Sequence, residues 1–280
     1  MFQFCKGKEF FSKEYWGYAL RIGIPIVPHY LSGIILNQGD RIMIDKMVGK
    51  TEVALYGLAY SIGMLVQLFI SGMNSALTPW MYSKIKKGDI RSMRKVLQLL
   101  SIVVVGIAVA LMLISPELVL IFGSPKYREA VYVIPPVAAS VFFIFIYNIL
   151  SMPQFYYEKT QFLMAASMAA AGANVVLNFI FIRLFGYIAA GYTTLACYML
   201  YSVGHYIVSK RILVNEGIQE NLMNPGFLLA CSVFLIGASI ICNLIFPYRI
   251  LRYAILLASA GLVFWKKELL LKTMADIRKK

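Results

Sequence analysis

Apolar runs of about 20 residues recur along this 280-residue chain, separated by short clusters of charge. A run of that length is about what an α-helix needs to cross a bilayer. Eight are read, at residues 17–38, 53–79, 96–114, 131–151, 162–183, 187–209, 226–246 and 249–265. The last two are parted only by the turn FPYR, residues 246–249. The pattern predicts an all-α polytopic membrane protein of about eight transmembrane helices. It also predicts a charged amphipathic lead-in over 1–16.

Composition agrees with that pattern. The chain is 60% hydrophobic and 14% charged, whereas soluble domains are about a quarter charged. A net charge of +14 suggests nucleic acid in a soluble protein, but here the positions of the bases argue for topology instead. With eight spans, 18 Lys and Arg fall on the side of the termini and 8 on the other, while Arg21 lies inside a span. Basic loops stay cytoplasmic, so the expected location is the cytoplasmic (inner) membrane, multi-pass, with cytoplasmic termini. The basic loop MYSKIKKGDIRSMRK (81–95) is read as part of that signal, with contact to anionic membrane lipids as the alternative. No nucleic-acid partner is expected.

Little in the chain points to covalent chemistry. There is no HExxH, GxSxG, P-loop or Asp-rich motif, and His29 and His205 sit in different spans without partners at metal-ligand spacing. Neither a metal nor a cofactor is expected, and the chain reads as a non-enzyme. Interest centres on LNQGDRIMIDKMVGK, residues 36–50. Charges inside spans are costly and mark functional candidates. At about 100° per residue, His29, Asn37 and Asp40 share one face of the first helix, and Arg41 lies about 120° from His29. The plain alternatives are a capped helix end with a local Asp40–Arg41 ion pair, and a buried neutral histidine. Pro25 and Pro28 predict a kink or break in the same helix. Asn174 and Asn178, four apart, share a face with Ser167, either as glue between helices or as ligands.

The run YALRIGIPIVPHYLSGIILNQGDRIMIDKMVGKTEVALYGLAYSIG resembles the seventh and eighth helices of bacterial polysaccharide flippases. These are the O-antigen and capsule repeat-unit transporters of the MATE-like multidrug/oligosaccharidyl-lipid/polysaccharide superfamily. The run NVVLNFIFIRLFGYIAAGYTT (174–194) resembles that family's Asn-rich helix, turn and small-residue helix. The family often has Pro near the position of Arg183 and GAA after Gly186, where this chain has IAAG. The resemblance implies a six-helix MATE-like C-terminal bundle over 17–210 plus two extra helices with a basic cytoplasmic tail over 211–280, with the N-terminal lobe a separate or missing partner.

It also implies a function. A lipid-linked oligosaccharide, an undecaprenyl-pyrophosphate repeat unit, would cross the membrane by alternating access, with this chain as half of the transporter. Arg41, Arg21 and His29 would meet the substrate and Asp40 would hold Arg41, with Asn37, Asn174 and Asn178 lining the same site. The alternatives are a drug/cation antiporter of the same superfamily and a non-transporting membrane scaffold. An antiporter would need a carboxylate deep in a span, and the sequence reading puts every acid near a span end.

Overall fold

The computed structural model describes residues 11–265; the first ten residues of the lead-in and the basic tail beyond 265 lie outside them. The helices are α1 (Lys13–Met47), α2 (Lys50–Gly63), α3 (Leu65–Lys86), α4 (Ile90–Phe122), α5 (Ile134–Tyr156), α6 (Thr160–Phe185), α7 (Ala189–Asn215), α8 (Pro225–Ile245) and α9 (Arg249–Trp265). A 3-10 segment, Pro125–Val133, leads into α5. α2 and α3 are two halves of one rod interrupted at Met64. Every span expected from the sequence is therefore a helical rod.

Six of these rods are long and apolar enough to cross a membrane: Lys13–Met47, Lys50–Lys86, Ile90–Phe122, Pro125–Tyr156, Thr160–Phe185 and Pro225–Ile245. The other two have clear reasons for falling short. α9 has only 17 residues. α7 is long, but Thr193, Thr194, Tyr198, Tyr201, Ser202, His205 and Ser209 dilute its apolar character, and all seven are buried. Its polar groups face protein rather than lipid, as a spanning helix requires.

Helix α5 is the centre of the bundle. Its sequence, IPPVAASVFFIFIYNILSMPQFY, is apolar all round, and a helix of that kind is buried on all sides. It packs against α3, α4, α7 and α8, while α6 lies between α7 and α1. Close approach is built in at Gly63, where an added Cβ would stand 2.7 Å from Val137 Cγ1 of α5. By contrast α8 is just as apolar but buries little beyond Leu235, Ser239 and Cys242. Its outward Leu229, Val233, Phe234 and Leu244 are exposed, which suits a lipid-facing surface.

Helix α1 runs unbroken through Pro25 and Pro28 to Met47. The break allowed by the sequence does not occur. Each proline lacks an N–H, so the carbonyls of Arg21 and Ile24 lose their partners four residues on. One stripe of α1 is covered, through Pro25, Ser32, Leu36, Asp40 and Ile44. The spacing of four keeps that stripe on a single face toward α6.

Two ion pairs occur among the described residues. Arg252, near the start of α9, is buried. It grips Glu117 of α4 through two bonds of 2.8 Å and donates to Leu113 O at 2.6 Å. Tyr253 Oη adds a third bond to Glu117 at 3.0 Å. At the opposite end, Lys84 Nζ meets Asp89 Oδ2 at 2.6 Å, and Asp89 also caps α4 by accepting from the Ser92 amide at 3.3 Å.

Removing Arg252 leaves the half-buried Glu117 without its ion-pair partner, at a cost below the about 3–5 kcal/mol of a fully buried pair. Arg252→Met is therefore expected to lower thermal stability in detergent, and Arg252→Met with Glu117→Leu to recover most of it. A double variant as unstable as the single one would show that packing, not the ion pair, fixes α9. For the second pair, the bond from Lys84 holds the Asp89 carboxyl at about 2, below its ordinary 3.8. A lowered folded value stabilises the fold above the unfolded value, and the stabilisation disappears as pH falls through the folded one. The difference in melting temperature between wild type and Asp89→Asn is expected to shrink between about pH 4 and pH 2.

Candidate functional site

The covered stripe of α1 delivers Asp40 into the bundle. α1 approaches α6 along a face of small residues, with Ser167, Ala170, Ala171, Asn174 and Asn178 all buried; small side chains allow such close helix contact. Asp40 has 0% of its surface exposed. It lies seven residues before the end of α1, or about 10 Å along the axis at 1.5 Å per residue. The sequence reading placed it at a helix end with other acids near span ends. The unbroken continuation of α1 puts it two turns inside.

Three helices solvate this carboxylate. Oδ1 accepts from Asn178 Nδ2 of α6 at 2.5 Å. Oδ2 accepts from Tyr56 Oη of α2 at 2.5 Å and from Thr194 Oγ1 of α7 at 2.6 Å. Asn178 is itself held: its amide also donates to Asn174 Oδ1 at 3.2 Å, and its carbonyl accepts from Thr193 Oγ1. The expected Asp40–Arg41 ion pair does not form. Arg41 Nη1 donates to Gln38 Oε1 at 3.0 Å, and its guanidinium lies 5.1 Å from the Tyr60 ring centroid. Asp40 therefore has neutral donors around it and no ion-pair partner among the described residues.

A polar column continues away from Asp40 along α7. One turn further, Asn37 Oδ1 accepts from Tyr60 Oη at 2.8 Å and from Tyr198 Oη at 3.5 Å. Next, Tyr201 Oη meets His29 Nδ1 at 3.1 Å. The Tyr201 ring lies 4.5 Å from His205 and 4.4 Å from Tyr147, centroid to centroid. His205 Nδ1 meets Gln154 Nε2 at 2.8 Å. The two histidines, without partners in the sequence reading, belong to one aromatic cluster bridged by Tyr201.

Asp40, Asn37, Asn174 and Asn178 thus come together, His29 joins them in the next layer, and Arg41 stands at the edge. Arg21 does not join. It lies 19 residues before Asp40 on α1, roughly 28 Å along the helix. Sequence reasoning missed Tyr56, Tyr60, Thr194, Tyr198 and Tyr201. One signal was present: Thr194, Tyr198, Tyr201, His205 and Ser209 recur every three or four residues, the spacing of one helix face.

Residues 25–180 match the MatE family, described by that name alone. The chain belongs to the MatE family. The matched segment begins at Pro25 of α1 and contains Asp40, Tyr56, Asn174 and Asn178. Two Haemophilus influenzae proteins are similar to it. "Lsg locus putative protein 1" is 29% identical over 159 residues, covering 54% of this chain and 38% of that protein. An "Uncharacterized membrane protein" is 30% identical over 165 residues, covering 55% of this chain and 39% of the other. The alignments thus take in under two-fifths of either relative. No solved structure matches.

A carboxylate among oxygen-bearing neutral groups can accept and release a cation or a proton, because either one cancels a charge that the bundle otherwise leaves unpaired. The donors are also structural. Thr194→Val keeps the shape and removes one bond to a charged acceptor, and is expected to cost about 1–2 kcal/mol. Thr194→Ser retains the hydroxyl and should stay close to wild type in a thermal unfolding series. Equal losses for both would assign the effect to packing at the methyl group instead.

Proposed function

We propose that this chain is the C-terminal lobe of a transporter that moves a lipid-linked oligosaccharide across the cytoplasmic membrane, driven by a cation or proton that binds at Asp40. Membership of the MatE family supports a role in membrane transport. The observation that carries the coupling is the burial of Asp40 with three neutral donors and no ion-pair partner among the described residues. Ionisable groups at membrane depth are expensive and mark ion and proton pathways. Binding the coupling ion neutralises Asp40. The donor bonds from α2, α6 and α7 then weaken together, and this loosens α1 from the rest of the lobe. Alternating access needs a step of that kind, in which one bundle rocks against another.

The cargo is proposed from the resemblance of the Asp40–Arg41 stretch to polysaccharide flippases. Arg41 at the edge of the column suits a pyrophosphate, since guanidinium forms paired bonds to phosphate. The partner is an N-terminal lobe, the termini are cytoplasmic, and the polyprenyl tail stays among membrane lipids. The second reading, a drug/cation antiporter, gains from the same depth of Asp40, which meets the requirement that the sequence reading found missing. It differs in cargo.

Asp40→Asn separates fold from function. The amide oxygen keeps the bond from Asn178, and its NH2 group donates to the hydroxyls of Tyr56 and Thr194, which rotate to accept. The variant is therefore expected to fold and insert. In a strain lacking its own flippase, co-expression of this chain with a cognate N-terminal lobe is expected to restore surface polysaccharide, and Asp40→Asn to abolish the restoration at unchanged protein level. Full activity of Asp40→Asn would remove the coupling role. Loss of drug resistance with no effect on polysaccharide would select the antiporter.

A further inference from the structure

Arg21 stands apart from the Asp40 column, and its surroundings form a second polar site. The first turns of α1, the α5–α6 turn and the start of α6 enclose a cavity of about 360 Å³. Arg21 lines it from α1 and Lys159 from the turn, with Tyr18, Thr160 and Gln161 between them. Neither cation has an ion-pair partner among the described residues. The cavity opens where α1, α4 and α6 begin and α3, α5 and α7 end, the end of the bundle that also carries Lys84, Lys86, Lys87, Lys210 and Arg211.

The walls of this cavity are fixed. The Glu158 and Lys159 amides bond back to Phe155 O at 3.1 Å and Gln154 O at 2.8 Å, closing the end of α5. This closure puts Glu158 at φ 57°, a left-handed position usually given to glycine. The Glu158 carboxylate then accepts from Tyr18 Oη at 2.5 Å. Thr160 Oγ1 donates to Ile22 O at 3.3 Å. Two contacts thus tie the start of α1 to the turn, with the one acid that lines the cavity held by a tyrosine and both cations without an ion-pair partner among the described residues.

We propose that this cavity binds the phosphate of a membrane-lipid head group, with Arg21 and Lys159 as its two cationic contacts. Basic pockets between helices at a membrane surface hold anionic head groups in this way. The aromatic rings of Tyr18, Tyr157 and Phe162 around the cavity match the interfacial level at which a head group sits. The site is independent of the coupling assigned to Asp40, which lies at the other end of α1.

The test uses the full chain in a neutral detergent, titrated with dioctanoyl-phosphatidylglycerol, with inorganic phosphate, and with phosphate-free dioctanoylglycerol. The phosphatidylglycerol is expected to bind, and Arg21→Gln with Lys159→Gln to weaken it about thirtyfold, roughly fivefold for each base. Glu158→Gln keeps an acceptor for Tyr18 but removes the one opposing charge, so it is expected to bind more tightly. A structural role alone would not produce that opposite sign. Equal lipid affinity across wild type and variants, or no binding to wild type, overturns the proposal. Inorganic phosphate binding as tightly as the lipid, with the same dependence on the bases, overturns the lipid assignment in favour of a free anion. If the double variant fails to fold, Glu158→Gln decides: tighter binding supports the site, while unchanged or weaker binding overturns it.

Discussion

A carboxylate taken out of water loses solvation that costs several kcal/mol unless other donors replace it. Asp40 recovers that solvation from three side chains on three helices. The rest of the lobe is arranged to meet this demand. Small residues on α6 let α1 come close enough for Asn178 to reach, and the polar stripe of α7 presents Thr194. Tyr56 and Tyr60, one turn apart on α2, serve Asp40 and Asn37 in turn. Each of these helices would bury its polar face at a loss without the others, so the site and the packing of the bundle depend on the same bonds.

The charge is balanced differently at Asp40 and at the half-buried Glu117. Glu117 has a guanidinium in two-point contact, so its pair is neutral and permanent. Asp40 has only dipoles. The contrast is between an ion pair that fastens two helices and a carboxylate held by neutral donors, although both are single acids within apolar helices.

The sequence made the helices legible because lipid enforces long apolar runs, and all eight rods lie where those runs fall. It was weaker on depth. Asp40 looked like a helix end because Arg41, Asp45 and Lys46 follow it closely, and charge density normally marks the water boundary. α1 outlasts that boundary, and its charges divide by face, with Asp40 inward and Asp45 and Lys46 exposed. The Asn pair on α6 and the shared face of His29, Asn37 and Asp40 were visible from helical spacing. Their partners were not, since tyrosine and threonine carry no formal charge and read as ordinary span residues. Arg21 was grouped with Arg41 by chemistry alone, and only the length of α1 shows how far apart they lie.

The clasp between α4 and α9 also bears on how the protein is made. α9 is short and begins with RILR, a segment that on its own partitions poorly from an insertion channel into lipid. Glu117 leaves the ribosome far earlier, on α4, and waits as an unmatched acid until Arg252 has been synthesised. The cost of burying Arg252 falls once α9 meets Glu117 of α4. α4 is the most apolar of the six candidate spans and can enter lipid by itself, so it is the short α9 that depends on the clasp for its place.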